Sequence, residues 1–224
     1  MKPKISVLTT VYNGEKFIEE TIKSVLNQSF KDFEYIIVDD GSTDNTREII
    51  RKYEIKDKRV VYHSGDVNKG YYNFHHSINY GLDLCKGEYI ARIDSDDLMD
   101  KDRLQKQFNY LEKHKDIFMI GTSANVIDEK GNILDIIKKR NYPSLFYKYR
   151  ICKNSFIHSS IMFRNEGLKY PWHNEHFFYF NMIVNKKKIK NIVDILVDYR
   201  INPFGVMSKH ANLKGNKYED LYKK

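Results

Sequence analysis

Apolar positions along this chain alternate between two rhythms. Ile5-Ser6-Val7-Leu8 is a short apolar run closed by the polar turn Thr9-Thr10-Val11-Tyr12-Asn13-Gly14, which predicts a strand followed by a loop. From Glu15 to about Gln28, Ile18, Ile22, Val25 and Leu26 recur at the i, i+4, i+7, i+8 spacing of one helical face. Tyr35-Ile36-Ile37-Val38 is continuously apolar, as a strand covered on both faces must be, and stops at Asp39-Asp40-Gly41-Ser42. A second helix follows, with Thr46, Ile49, Ile50 and Tyr53 on one side. Val60-Val61-Tyr62 predicts a third strand, residues 74 to 85 a helix, and Tyr89-Ile90-Ala91-Arg92-Ile93 a fourth strand.

Strands alternating with helices through short connections imply a parallel sheet with right-handed crossovers. Ligands in such sheets bind beyond the carboxyl ends of the strands. Three segments therefore converge on one crevice: Thr9 to Asn13, Asp39 to Ser42, and Asp94 to Asp97. The later half is less regular. It predicts a helix over 102–113, strands over 119–126, 133–137, 158–163 and 195–200, and a helix over 175–184. From Pro203 onward the pattern fades.

Composition narrows the picture. The 224 residues are 41% hydrophobic and 30% charged, which excludes a disordered chain, a membrane bundle and a disulfide scaffold. The run after Met1-Lys2-Pro3-Lys4 lacks the apolar core and cleavage site of a secretory leader, and nothing approaches the roughly 18 apolar residues of a spanning helix. Cys85 and Cys152 have neither metal-site nor redox spacing, so two reduced thiols in a cytoplasmic setting are expected. The net charge is +8, concentrated late in Lys138-Lys139-Arg140, Lys186-Lys187-Lys188-Ile189-Lys190 and Lys223-Lys224. That excess reads as a solvated basic face, or as a peripheral contact with an anionic membrane surface. Nucleic acid is not expected, because no aromatic platforms are interleaved with the basic residues.

Asp94-Ser95-Asp96-Asp97 is the centre of the functional reading. Two carboxylates one residue apart at a strand end can hold a divalent cation, which in turn neutralises a diphosphate. Taken singly, each segment has an ordinary alternative. Asp100 and Asp102 read as a turn into a helix start, Asp39-Asp40-Gly41-Ser42 as a turn and cap, and Tyr12 as a shield for the sheet edge.

Taken in order, the segments resemble family 2 glycosyltransferases of the GT-A fold. The resemblance rests on residues 5–14, then Ser24 to Phe30, Tyr35 to Asp44, Gly87-Glu88-Tyr89-Ile90 and Asp94 to Asp97. Later pieces, His158 to Phe163 and Tyr199-Arg200 followed by Val206-Met207-Ser208, extend it over most of residues 4 to 208. It implies an α/β fold: a Rossmann-like nucleotide-binding half with a mainly parallel central sheet flanked by helices, merged with a smaller acceptor-binding half. These would form one domain over 1–208, divided near residue 100, with a basic tail over 209–224.

By the same resemblance, Thr10 and Tyr12 match the loop that embraces a nucleotide base, and Asp40 the acid that hydrogen-bonds uracil. Asp39 would order that loop. Asp96 matches the metal-binding carboxylate, Asp94 and Ser95 lie beside it, and Asp94 supports ribose or metal. The implied donor is a nucleotide sugar, a UDP-sugar, with Mn²⁺ or Mg²⁺, and the implied acceptor is a glycan or lipid-linked hydroxyl. Inverting transfer needs a general base, which the family places as an Asp in a Glu-Asp pair opening a late helix. Glu175 stands at that Glu and His176 replaces the Asp; histidine can serve as a base near neutral pH. Without a competent base the chain would bind donor and transfer poorly. A nucleotidyltransferase would also use paired carboxylates, but Thr9 to Gly14 offers no Lys or Arg for a phosphate loop. Two further departures are Ile78, where many members carry Arg before Asn79-Tyr80-Gly81, and Asn202, where a His is frequent. By the resemblance His158 is a candidate contact to the diphosphate or acceptor, and Trp172 is a candidate acceptor contact or a packed core residue.

Overall fold

The structure, a computed structural model, describes residues 2–65, 74–139, 156–171 and 175–202. Its elements in chain order are β1 (Ile5–Val11), α1 (Ile18–Leu26), β2 (Phe33–Asp39), α2 (Thr46–Lys56), β3 (Val60–Ser64), α3 (Phe74–Leu84), β4 (Tyr89–Arg92), β5 (Leu98–Met99), α4 (Arg103–Lys113), β6 (Ile117–Ile127), β7 (Ile133–Ile137), β8 (Met162–Arg164), α5 (Glu175–Val184) and β9 (Lys188–Arg200). All nine strands belong to one sheet in the order β3-β2-β1-β4-β8-β6-β9-β5, with β7 paired to β6. The first four strands are mutually parallel, as the βα alternation requires. The short β8 then enters antiparallel between β4 and β6 and joins the two halves.

The two-residue period of each strand feeds two separate cores. Ile5, Val7, Val11, Tyr35 and Ile37 pack on one face with Ile18, Ile22 and Val25 of α1, Ile50 of α2 and Leu104 and Leu111 of α4. Leu8, Ile36 and Val38 pack on the other with Ile78 and Leu82 of α3 and Phe178, Tyr179 and Met182 of α5. Each such side chain contributes about 1.5–3 kcal/mol when fully buried. Covering both faces explains why the first strands read as unbroken apolar runs.

Two backbone positions account for motif residues. A Cβ on Gly87 would stand 2.4 Å from the Ser6 nitrogen and 2.7 Å from the Ile5 carbonyl carbon, so the approach to β1 leaves no room for a side chain. At the end of α5, Lys187 N–H donates to the Met182 carbonyl and Lys186 N–H to that of Ile183, with Lys186 at φ +57°. This is a Schellman ending with lysine in the left-handed position that glycine normally fills, at a cost of roughly 1–2 kcal/mol.

Several boundaries shift from the pattern-based expectation. β1 runs on through Thr9 and Thr10 to Val11, because Val11 pairs with Asp39 at the end of β2. The strand expected from His158 starts at Met162, and residues 158–160 form a 3₁₀ turn in which Ser160 N–H donates to the Ile157 carbonyl. The last strand begins at Lys188, seven residues before the predicted start, because the first half of β6 pairs with 188–191 and, after an irregularity, its second half pairs with 195–200. β5, only two residues long, is held by β9 and carries no periodicity to be read.

Candidate functional site

The site is built where β1, β2 and β4 end. Asp39, the last residue of β2, is fully buried, and both its oxygens are committed: Tyr62 O–H donates to Oδ2 at 3.0 Å and Ser42 N–H to Oδ1 at 2.8 Å. Those bonds shape the turn through Gly41, whose φ of +81° suits glycine. Asp40 N–H donates to the Val11 carbonyl at 2.8 Å, which brings the half-buried Asp40 beside the β1 loop.

Side chains lock the two loops together. Asn13 N–H donates to Ser42 Oγ at 2.9 Å, and Thr43 N–H to Asn13 Oδ1 at 2.8 Å. Gly14 N–H donates to Thr46 Oγ1 at 2.8 Å and Glu15 N–H to Asp44 Oδ2 at 3.1 Å. Tyr12 stays 47% exposed at the rim, and Thr10 is half-buried behind it. Sequence adjacency alone does not predict this clasp, although it uses polar residues of both motifs.

The acidic segment is held from below by buried guanidinium groups. Arg92, 1% exposed, donates through Nη2 to Asp94 Oδ1 at 2.9 Å and through Nη1 to the Leu8 carbonyl at 3.0 Å. Ser159 Oγ accepts Asp94 N–H at 3.1 Å, and His158 Nδ1 lies 3.5 Å from Asp94 Oδ1. Arg103, fully buried, donates to the carbonyls of Ser159, Arg92 and Ile161. On the far side Arg200 Nε donates to the Asp96 carbonyl at 2.8 Å, and Arg200 N–H to Asp97 Oδ1 at 2.8 Å. Asn202 Nδ2 donates to Asp96 Oδ2 at 3.1 Å, so the residue standing where a His is frequent still reaches the acidic segment. The Thr21 hydroxyl, from α1, lies 3.0 and 2.9 Å from the Ser95 and Asp97 carbonyls.

The electrostatics of the three carboxyls diverge. Burial works against ionisation of Asp94, but the His158 ring, the Arg92 guanidinium and the Ser159 hydroxyl outweigh it and hold its carboxyl well below the usual range. Burial pushes the Asp96 carboxyl upward, Asp94 adds repulsion, and the Asn202 bond only partly offsets them. Asp97 is raised further by burial and by its two acidic neighbours, and its Oδ2 is buried without a hydrogen-bond partner among the described residues. Burial is the first cause of both upward shifts, and a divalent cation held here would oppose them. Among the described residues no three His, Cys, Asp or Glu side chains form a complete cage. A cation at the Asp94–Asp96 pair would therefore take most of its ligands from water and phosphate.

The structure thus brings Thr10, Tyr12, Asp39, Asp40, Asp94, Ser95 and Asp96 to one end of the sheet. Glu175 and His176 open α5, and their side chains, like Trp172 and Cys152, lie outside the described residues. Asn79 is spent elsewhere: it accepts Tyr170 N–H at 2.7 Å and donates to the Tyr170 carbonyl at 2.9 Å. His158 Nε2 lies 2.8 Å from the hydroxyl of that same Tyr170. Sequence reasoning missed Arg92, Arg103 and Ser159. Arg92 had a signal, since a charged residue inside the apolar run Tyr89 to Ile93 must find partners when buried. Arg103 had none, because the carbonyls it reaches lie on separate elements, and Ser159 had only its place in the His158–Phe163 segment, since the Asp94 N–H it accepts is 65 residues away.

Comparison with known proteins identifies the family and the fold. The family model described as "Glycosyl transferase family 2" matches residues 6–193. An uncharacterized glycosyltransferase of Methanocaldococcus jannaschii is 35% identical over 210 residues, covering 89% of this chain and 71% of the relative. The O-antigen biosynthesis glycosyltransferase WbnJ of Escherichia coli is 30% identical over 208 residues, covering 88% and 80%. Among solved structures, S. aureus TarS in complex with UDP-GlcNAc superposes with a TM-score of 0.71 at 22% identity, covering 92% of this chain and 60% of that one. The mannosyltransferase PcManGT of Pyrobaculum calidifontis, in complex with GDP-Man and Mn²⁺, gives 0.67 at 16% identity, covering 95% and 61%. This chain therefore spans about three fifths of the length of those solved chains.

Proposed function

This chain belongs to glycosyl transferase family 2 with the GT-A fold, and from that premise we propose that it moves a sugar from a UDP-sugar to an acceptor hydroxyl with inversion. The observation that carries the reading is the convergence of the Asp39–Asp40 turn, the Tyr12 loop and the acidic Asp94–Asp97 segment at one end of the sheet. TarS binds UDP and UDP-GlcNAc, PcManGT binds GDP-Man with Mn²⁺, and WbnJ takes part in O-antigen biosynthesis. Those properties support a nucleotide-sugar donor and a glycan or lipid-linked acceptor here.

In this reading Asp40 accepts the uracil N–H while Tyr12 and Thr10 flank the base. Asp39 keeps the turn in shape through Tyr62 and Ser42. Asp94 and Asp96, with Ser95 beside them, would hold Mn²⁺ or Mg²⁺, and the ion would supply neutralisation of diphosphate charge. Arg92 and Arg200 fix the segment from either side. Glu175 or His176 takes the proton of the acceptor hydroxyl. The acceptor oxygen then bonds to the anomeric carbon from the face opposite the leaving phosphate oxygen, whose bond to that carbon breaks.

The test is calorimetric titration of UDP, UDP-GlcNAc, UDP-glucose and GDP-mannose, with and without Mn²⁺, on wild type and Asp96→Ala. Mn²⁺-dependent binding of a uridine nucleotide, weakened at least tenfold in the variant, is expected. Indifference to the substitution overturns the metal assignment, and absence of uridine binding overturns the donor. If donor binds but acceptor-dependent UDP release is absent, and His176→Asp does not restore it, the chain is a donor-binding protein.

A further inference from the structure

The basic run 186–190 is not used by the donor cleft. β6 runs antiparallel to β8, which runs antiparallel to β4, so β6 and its parallel partner β9 point the same way as the strands that end at the cleft. Their starts therefore lie at the opposite edge of the sheet. A surface pocket of about 420 Å³ opens there, with Ile117, Ile183 and Ile189 in its lining beside Lys186, Lys188 and Lys190. The three isoleucines are 8% exposed or less, whereas Val184, next to Ile183, is 53% exposed.

The lysines are not equivalent. Lys188 is paired with Asp116, also in the lining, at 3.0 Å, and Lys187 with Glu166. The ammonium groups of Lys186 and Lys190 have no anionic partner among the described residues. Lys186 also occupies the left-handed position at the end of α5 that glycine would fill without strain. A residue held in a disfavoured conformation, whose side chain contributes an unpaired cation to an apolar-floored pocket, points to an anionic ligand with an apolar portion.

We propose that this pocket binds the headgroup of an acidic phospholipid, with Lys186 and Lys190 on the phosphate and the isoleucine floor beneath the glycerol and first acyl carbons. The proposal commits to a bilayer on charge complementarity. A second copy of a chain with net charge +8 would be repelled, while an anionic membrane attracts it. Because the pocket and the cleft sit at opposite edges, a bilayer held here leaves the cleft open to solution. The inference does not rest on the donor assignment.

The test is cosedimentation of the full chain with phosphatidylcholine vesicles containing 30% phosphatidylglycerol, against phosphatidylcholine alone. Retention only on the acidic vesicles is expected, decreasing as salt is raised. Lys186→Gly and Lys190→Gln should each weaken retention about five-fold, the effect of one lysine near an anionic surface. Lys186→Gly should leave the melting temperature unchanged or higher, which separates a lost contact from a damaged fold. The single change Lys224→Gln, which removes one charge as each pocket variant does, should leave retention at the wild-type level. Retention of both pocket variants at the wild-type level, binding to neutral vesicles, or full displacement by polyuridylate at matched phosphate overturns the assignment.

Discussion

Replacing Arg200 with alanine removes a guanidinium that ties four parts of the chain together. Its side chain is fully buried, and it donates to the carbonyls of Asp96 at 2.8 Å, Glu129 at 2.8 Å and Asp128 at 3.2 Å. A further bond reaches Glu20, and the guanidinium carbon lies 4.5 Å from the centre of the buried Phe17 ring. Hydrogen bonds from a charged donor are worth about 1.5–3 kcal/mol each. Asp96, Asp128 and Glu129 are only half-buried, so water can partly replace the lost donor and the low end applies. Three bonds then amount to about 4.5 kcal/mol. The Glu20 pair adds nothing to this figure, because Glu20 is 53% exposed and solvent screens it. With an m-value of about 2 kcal/mol per molar, the urea midpoint should fall by roughly 2 M. The backbone bond from Arg200 N–H to Asp97 does not depend on the side chain, so a folded fraction should survive and can be assayed. Urea titration followed by circular dichroism measures the effect. A midpoint shift below about 0.4 M, worth less than 1 kcal/mol, refutes the reasoning by showing that the three carbonyls are satisfied without the guanidinium.

Two other outcomes follow from the structure. Tyr62→Phe deletes the donor to Asp39 Oδ2 and should cost about 1.5–3 kcal/mol, several degrees of melting temperature, with weakened UDP binding as the turn loosens; an unchanged melting temperature would show the bond to be idle. Alkaline stability should decline because burial pushes the Cys85 thiol up to about 12 and raises the Tyr35 phenol, despite its bond to Thr9, so both stay neutral in the fold. The unfolded chain ionises them at ordinary values and binds fewer protons, so unfolding free energy falls as pH rises above about 9 to 10, by roughly 1.4 kcal/mol per pH unit for each group. Urea midpoints that stay level between pH 9 and 11 would contradict this.

Rhythm and punctuation alone determined much of this protein. The apolar runs 5–8, 35–38 and 89–93, and the helical spacing of Ile18, Ile22 and Val25, specify buried strands and an amphipathic helix because those patterns bury well only in those conformations. Placing Asp39, Asp40, Asp94 and Asp96 at strand ends, and so at one edge of a parallel sheet, follows from that reading. Only the tertiary structure decided what holds these carboxylates and what charge they carry. Arg92 reaches Asp94 from two residues away, but Arg200 reaches Asp96 across more than a hundred, and Ser159 and His158 come from a turn that periodicity mistakes for a strand. Burial that raises Asp97 while charge partners depress Asp94 depends on which atoms end up adjacent in low dielectric, and a local pattern cannot report that. The clasp of Asn13 on Ser42 and Thr43 and the pocket between the starts of β6 and β9 have the same origin. Each joins residues whose separation along the chain exceeds the reach of any helical or strand period, so folding alone brings them into contact.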